Sequence, residues 1–238
     1  MQKQLIKTFM RYRQHPHDSD AKSLLDEFAE VGVKGALHDR GYFRAKVETE
    51  AKLLGVDGQE QRYSFVISIV KGLLYRLGTV HFANAADPHS ALAFPSAELR
   101  NLIPLARGDV FNVSKIRQGL EAITKLYGSN GYVDATIEPD TQVDDDRPII
   151  DLVLNIDEQS QYRIGKILVV SPDTNVKSFV SANLKTGQVF NKEVIEQLLR
   201  RYKSVLPGDV SERDISIARN IVSKTVNITF DFWTCPLR

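Results

Sequence analysis

The chain has a single cysteine, Cys235, among its 238 residues, so no disulfide can close within it. It has no apolar run of about 18 residues, which excludes a transmembrane helix. It has no excess of either charge: 31 basic residues stand against 30 acidic ones, for a net charge of +1. Nucleic-acid binders carry a marked basic excess or stripe, so no nucleic-acid partner is expected. The segment Met1 to Arg13 has only short apolar pieces and lacks the roughly 7–15-residue apolar stretch of a secretory signal. What remains is ordinary for folded domains, 42% hydrophobic and 26% charged, and the length allows two or three compact units.

Within this plain composition the sequence nearly repeats itself. Tyr75-Arg76-Leu77-Gly78 returns as Tyr162-Arg163-Ile164-Gly165, an offset of 87 (162 − 75). Gly41-Tyr42 returns as Gly131-Tyr132, an offset of 90 (131 − 41), and Gly108-Asp109-Val110-Phe111-Asn112 as Gly187-Gln188-Val189-Phe190-Asn191, an offset of 79 (187 − 108). Solenoid repeats run about 20–50 residues, so this period points to small tandem domains instead.

The middle repeat reads as β-α-α-β-β. Tyr75 to Phe82 alternates as a strand. Ser96 starts a short helix that Pro104 ends, and Asn112 caps a longer helix with Val113, Ile116, Leu120, Ile123 and Tyr127 on one stripe. Gly131 ends that helix. Val133, Ala135 and Ile137 form the next strand, Asp140 to Arg147 an acidic loop, and Ile150, Leu152, Leu154 and Ile156 the third strand. The last repeat follows the same order, closing on Val226, Ile228, Phe230 and Phe232. The first is partial. Its last two strands are clear, at Phe43, Ala45, Val47 and at Tyr63, Phe65, Ile67, Ile69. The helix through Leu24, Phe28 and Val31 is interrupted by Gly32 and Gly35, and only Gln4 to Met10 can supply a first strand. The expected units are 1–72, 73–159 and 160–238. The expected class is α+β, each unit a three-stranded mixed sheet with two helices on one face.

A Tyr-x-[Leu/Ile]-Gly opening strand, Gly-x-Val-Phe before the long helix and Gly-Tyr after it, in this order, resemble POTRA domains. These are the polypeptide-transport-associated domains of outer-membrane protein assembly factors of the surface antigen or BamA-like family. The resemblance covers nearly all of Gly41 to Phe232. It implies a periplasmic, outer-membrane-associated scaffold, non-enzymatic and chaperone-like. Its partners would be unfolded outer-membrane or secreted polypeptides, or other envelope proteins. The resemblance also implies a binding mode, in which an extended client adds a strand to the open sheet edge after Gly-Tyr. Carried over, the edge is the backbone of Val133, Asp134, Ala135, Thr136 and Ile137, with Phe43 to Val47 as its counterpart. The charges Arg44, Lys46, Glu48, Asp134 and Glu138 also suit an edge that is merely protected and binds nothing. An adaptor that docks an envelope protein through domain surfaces is the alternative function. The chain departs from the family in having no barrel sequence after Phe232 and Leu206-Pro207-Gly208 in place of the third Gly-Tyr; a misplaced start or truncated gene is expected from these departures and from the missing signal.

Other constellations read as incidental. Ser19-Asp20-Ala21-Lys22 and Lys185-Thr186-Gly187 match two of three penicillin-recognising motifs, but Ser-Asp-Asn is missing. Gly32-Val33-Lys34-Gly35 fits the GxxG loop of a KH domain in one repeat only. His15-Pro16-His17-Asp18 reads as a polar N-terminal segment, and Asp144-Asp145-Asp146 lacks the spacing of a calcium loop. No catalytic residue, cofactor or metal is expected.

Overall fold

The computed structural model describes residues 3–13, 21–57, 60–203 and 214–232. The elements run β1 (Lys3–Arg13), α1 (Ala21–Glu27), a π-helical segment (Phe28–Lys34), α2 (Gly35–His38), β2 (Lys46–Asp57), β3 (Glu60–Val70), β4 (Arg76–Asn84), α3 (Ser96–Asn101), α4 (Val113–Ser129), β5 (Thr136–Asp144), β6 (Ile149–Asp157), β7 (Arg163–Val170), α5 (Thr174–Asn183), α6 (Lys192–Lys203), β8 (Ile215–Asn220) and β9 (Thr225–Asp231). They form three three-stranded sheets, ordered β1-β3-β2, β4-β6-β5 and β7-β9-β8, an α+β architecture. The residues pack as two compact units. One comprises Met1–His81, Ala97–Leu120 and Pro139–Leu154; the other comprises Phe82–Ser96, Glu121–Glu138 and Asn155–Arg238.

In the second unit the core of the last repeat gathers Tyr162, Val176, Val180, Leu198, Val226 and Phe230, all buried. The alternation that predicts β9 is the alternation that buries it, with Val226, Ile228 and Phe230 inward. Asp173 caps α5 by accepting from the Asn175 N–H at 2.8 Å, and Asn191 caps α6 by accepting from the Glu193 N–H at 2.9 Å. This sheet is mixed, with β7 parallel and β8 antiparallel to β9.

In the first unit the sheet of the first repeat differs. Both β1 and β2 run antiparallel to β3. The parity of helical legs explains it. Behind β7 the chain goes out along α5 and back along α6, so β8 starts at the end β7 left. Between β1 and β2 the described residues hold one leg: α1, the π-helical segment and α2 run on continuously from Ala21 to His38. That single leg carries the chain to the opposite end, where Lys46 of β2 pairs with Val70. The expected interruption at Gly32 and Gly35 does not occur; the helix passes through both, locally π-wound. The GxxG motif is therefore helical and forms no loop.

Gly78 and Gly165 are required inside their own sheets. The Asp151 Oδ1 accepts from the Thr79 N–H at 2.5 Å and from its hydroxyl at 2.7 Å, over the space a Cβ at Gly78 would fill. Asn227 Oδ1 does the same for the Lys166 N–H at 2.8 Å beside Gly165, where the β7–β9 register also shifts.

The junctions between repeats are built twice from the same parts. The Gly41 carbonyl accepts from the Tyr75 N–H at 2.8 Å, and the Gly131 carbonyl from the Tyr162 N–H at 2.8 Å. The Tyr75 carbonyl then takes the Phe111 N–H and the Tyr162 carbonyl the Phe190 N–H, each at 3.0 Å. Both glycines are left-handed, at φ +82° and +86°. A Cβ at Gly131 would stand 2.7 Å from the Tyr162 carbonyl oxygen and 2.9 Å from Val189 Cγ1.

Two outcomes follow from this packing. Gly131→Ala combines backbone strain with a clash against main chain, so it destabilises by about 2 kcal/mol or more, read as a lowered chemical-denaturation midpoint; an unchanged midpoint refutes the junction's role. The Thr79 bonds hold the Asp151 carboxyl below the ordinary carboxylate range. Its contribution is thus complete above the unfolded value of about 3.9 and lost as pH falls through the lower folded value. Asp151→Asn, which reproduces the Asn227 arrangement, flattens the decline of stability below about pH 4; an unaltered acid limb contradicts this.

Candidate functional site

The edge predicted at Val133–Ile137 starts later than expected. Gly131 opens a turn that the Ala135 N–H closes onto the Tyr132 carbonyl at 3.2 Å, so the strand begins at Thr136. Val133 packs on the core of the last repeat. Asp134 accepts from the Tyr162 hydroxyl and from Arg219 of β8. The bond to Asp134 first, and burial second, raise the Tyr162 pKa, and the charge of Arg219 opposes them. Val133 and Asp134 thus hold the junction, and Ala135 precedes the strand. Only Thr136, exposed, and Ile137, half-buried, belong to β5. The same happens in the first repeat, where the Ala45 N–H bonds the Tyr42 carbonyl at 3.0 Å and β2 begins at Lys46 rather than Phe43.

The strands themselves run further than predicted. β5 continues to Asp144 through most of the stretch read as an acidic loop, leaving only residues 145–148 as the turn. It forms one edge of the middle sheet, and β2 forms one edge of the first. Glu138, Pro139, Asp140, Thr141 and Gln142 are exposed along β5. Along β2, Lys46, Glu48, Glu50 and Lys52 are exposed while Val47, Thr49 and Ala51 turn inward. Charges, the donor-less Pro139 and the bulge between Leu53 and Gly55 are the devices that keep an edge from pairing with its own kind. They leave the remaining main-chain groups able to take one extended strand.

Sequence reasoning missed two things. Leu53, Leu54 and Val56 are exposed at the far end of β2. The break in alternation after Ala51 is the signal that could have found them. The other is the junction ion pairing, which swaps sign between repeats. Arg44 meets Asp145 at 2.8 Å, whereas its repeat counterpart Asp134 meets Arg219. Asp145 also accepts from the Tyr75 hydroxyl at 2.5 Å, and burial raises the Tyr75 pKa, with that bond adding to it. Asp144 is taken by Arg147 at 2.7 Å, which lowers its pKa. These two carboxylates therefore serve the turn and the junction.

Tyr132 packs edge-on against Tyr127 of α4, ring centroids 5.6 Å apart, and so seats on the preceding helix. The Tyr127 hydroxyl donates to Glu158 at 2.7 Å; burial first, and then that carboxylate, push its pKa strongly up. Lys185-Thr186-Gly187 forms a turn between α5 and α6. Lys22 bonds Asp26 and Thr49. His15-Pro16-His17-Asp18, Ser19-Asp20, Leu206-Pro207-Gly208 and Cys235 lie outside the described residues. Among the described residues no cluster of side chains suits a metal ion, and no helix is long and apolar enough to cross a membrane.

Comparison with known proteins shows what the chain is similar to. Residues 89–159 match the POTRA family, described as a surface antigen variable number repeat. A protein of Treponema pallidum (strain Nichols), provisionally named an outer membrane protein assembly factor, is 28% identical over 216 residues, covering 83% of this chain and 25% of the relative. The outer membrane protein assembly factor BamA of Buchnera aphidicola subsp. Acyrthosiphon pisum (strain APS) is 23% identical over 166 residues, covering 69% of this chain and 26% of its own. The chain thus spans about a quarter of the length of these relatives. The solved POTRA3-5 segment of Haemophilus influenzae BamA shares the fold, with a TM-score of 0.58 at 21% identity over 84% of this chain and 76% of that one. The central segment 89–159 thus matches the POTRA family, and the chain as a whole is similar in sequence to outer-membrane protein assembly factors and in fold to a POTRA3-5 segment.

Proposed function

We propose that the chain is a non-enzymatic scaffold in outer-membrane protein assembly or secretion, working in the periplasm at the outer membrane. Its working parts are three domains, at 1–72 (partial), 73–159 and 160–238. It takes extended stretches of outer-membrane or secreted polypeptides as added strands on its sheet edges. The supporting observation is the pair of edge strands β2 and β5, each long, charged on its exposed side and backed by a sheet with an apolar inner face. Of the five residues first singled out, Thr136 and Ile137 begin the binding strand. Val133 and Asp134, held at the junction, fix where it starts.

Strand addition depends on main chain, so proline separates binding from folding. Successive N–H groups of a strand point to opposite sides. Of Thr141→Pro and Gln142→Pro, one therefore removes a bond to β6 and lowers the melting temperature. The other leaves the fold intact and removes one donor from the open side. In the stable variant, the affinity for a synthetic peptide of alternating apolar and polar residues, followed by amide NMR, falls about fivefold, the equivalent of about 1 kcal/mol. Undiminished binding by that variant sinks the proposal, and shifts confined to helix faces favour an adaptor that docks through domain surfaces.

A further inference from the structure

The turn joining the last two strands is built the same way in the middle and last repeats. At β5–β6 the Asp144 Oδ1 accepts from the Asp146 and Arg147 N–H groups, each at 3.0 Å. The Pro148 carbonyl then accepts from the Arg76 N–H at 3.0 Å. At β8–β9 the Asn220 Oδ1 accepts from the Val222 and Ser223 N–H groups, each at 3.0 Å. The Lys224 carbonyl accepts from the Arg163 N–H at 3.1 Å. The side chain that closes such a turn is the Asp or Asn itself, so the next two side chains are free to vary. In the middle repeat they are Asp145 and Asp146. In the last they are Ile221 and Val222, 70% and 94% exposed.

Little of this apolar pair is used inside the fold. Asp145 holds its junction by meeting Arg44 and the Tyr75 hydroxyl. At the next junction Arg219 of β8 and the Tyr162 hydroxyl meet Asp134 instead, and the turn stays outside. Single exposed aliphatics are ordinary, but two in succession on a projecting turn mark a contact surface. Its rim is basic. Arg163, whose N–H bonds Lys224, also reaches the Gly187 carbonyl with its guanidinium at 3.0 Å. Arg163, Lys224 and Lys185 of that neighbouring turn are all exposed. The turns 185–188 and 221–224 and the opening of β7 hold no acidic side chain, and Asp134 is taken by Arg219.

We propose that the β8–β9 turn dips into the surface of an anionic bilayer, with Ile221 and Val222 among the acyl chains and Arg163, Lys185 and Lys224 at the headgroups. Basic side chains beside apolar ones suit this boundary, since their stems lie along the apolar layer while their charges reach the phosphates. A bilayer fits better than a protein partner on two counts. It receives a projecting aliphatic pair without a matching pocket, and its negative headgroups complement the basic rim. The residues concerned lie apart from β2 and β5, so this contact goes beyond strand addition and the two proposals fail independently.

The probe is a vesicle of mixed phosphatidylcholine and phosphatidylglycerol, co-sedimented with the full chain and compared with pure phosphatidylcholine. Partition onto the mixed vesicles is expected, and the double variant Ile221→Ser, Val222→Ser weakens it about tenfold without lowering the melting temperature. The double variant Ile221→Leu, Val222→Leu retains it. In bicelles of the same lipids with a doxyl label in the acyl chain, the amide signals of Ile221 and Val222 broaden first. No partition onto the mixed vesicles overturns the proposal and leaves the turn to a protein partner. Equal partition by the serine variant overturns it, as does equal partition onto pure phosphatidylcholine, since the basic rim would then play no part. A large stability loss in the serine variant also overturns it, since the pair would then be packed within the fold. So does self-association of the full chain that the serine variant abolishes, since a second copy would then cover the turn.

Discussion

Two left-handed glycine carbonyls, at Gly41 and Gly131, each receive the N–H of a tyrosine that opens the next repeat, and that tyrosine's own carbonyl receives the N–H just before the next long helix. This three-segment knot of main chain fixes where the helix ends, where the following edge strand begins and where the next sheet starts. Only glycine fits, because the conformation needs positive φ and the neighbouring tyrosine carbonyl occupies the space of a Cβ. The side chains around the knot vary more freely. The ion pair beside it is Arg44 with Asp145 in one case and Asp134 with Arg219 in the other, so the sign of charge is exchanged while the main-chain pattern persists. Exposed pairs of this sort contribute little to stability, about 0–1 kcal/mol.

The direction of β1 is a second consequence of simple geometry. Two helical legs return the chain to the end it left and make the first strand parallel to the last. One leg does not, and the sheet becomes antiparallel throughout. On the described single leg Phe28 is exposed.

Much of the fold was legible because its signals are local. Ile150, Leu152, Leu154 and Ile156 alternate and are buried; Asn112 caps α4 by accepting from the Lys115 N–H at 2.7 Å; Val176 and Val180 share a helix face. The site was legible only in part. Gly131-Tyr132 marks the approach to an edge, but the alternation of Val133, Ala135 and Ile137 suggests a strand through residues that form a turn. Val133 is apolar because it packs on the next repeat, and its place in the alternation is incidental. Likewise the aspartates after Pro139 read as a loop, although β5 runs on through Asp144 and its polar side chains simply face solvent.

The sequence by itself determined the repeated unit, its element types and its resemblance to POTRA domains, since periodicity, capping and glycine placement act over a few residues. Tertiary structure decided the rest. Tyr75 finds Asp145 across 70 positions and Arg219 finds Asp134 across 85, and no local pattern announces either pairing. Which strands are edges and in which direction they run depends on how the described helices carry the chain between strands. That is a property of the whole path of the chain, which no window of sequence contains.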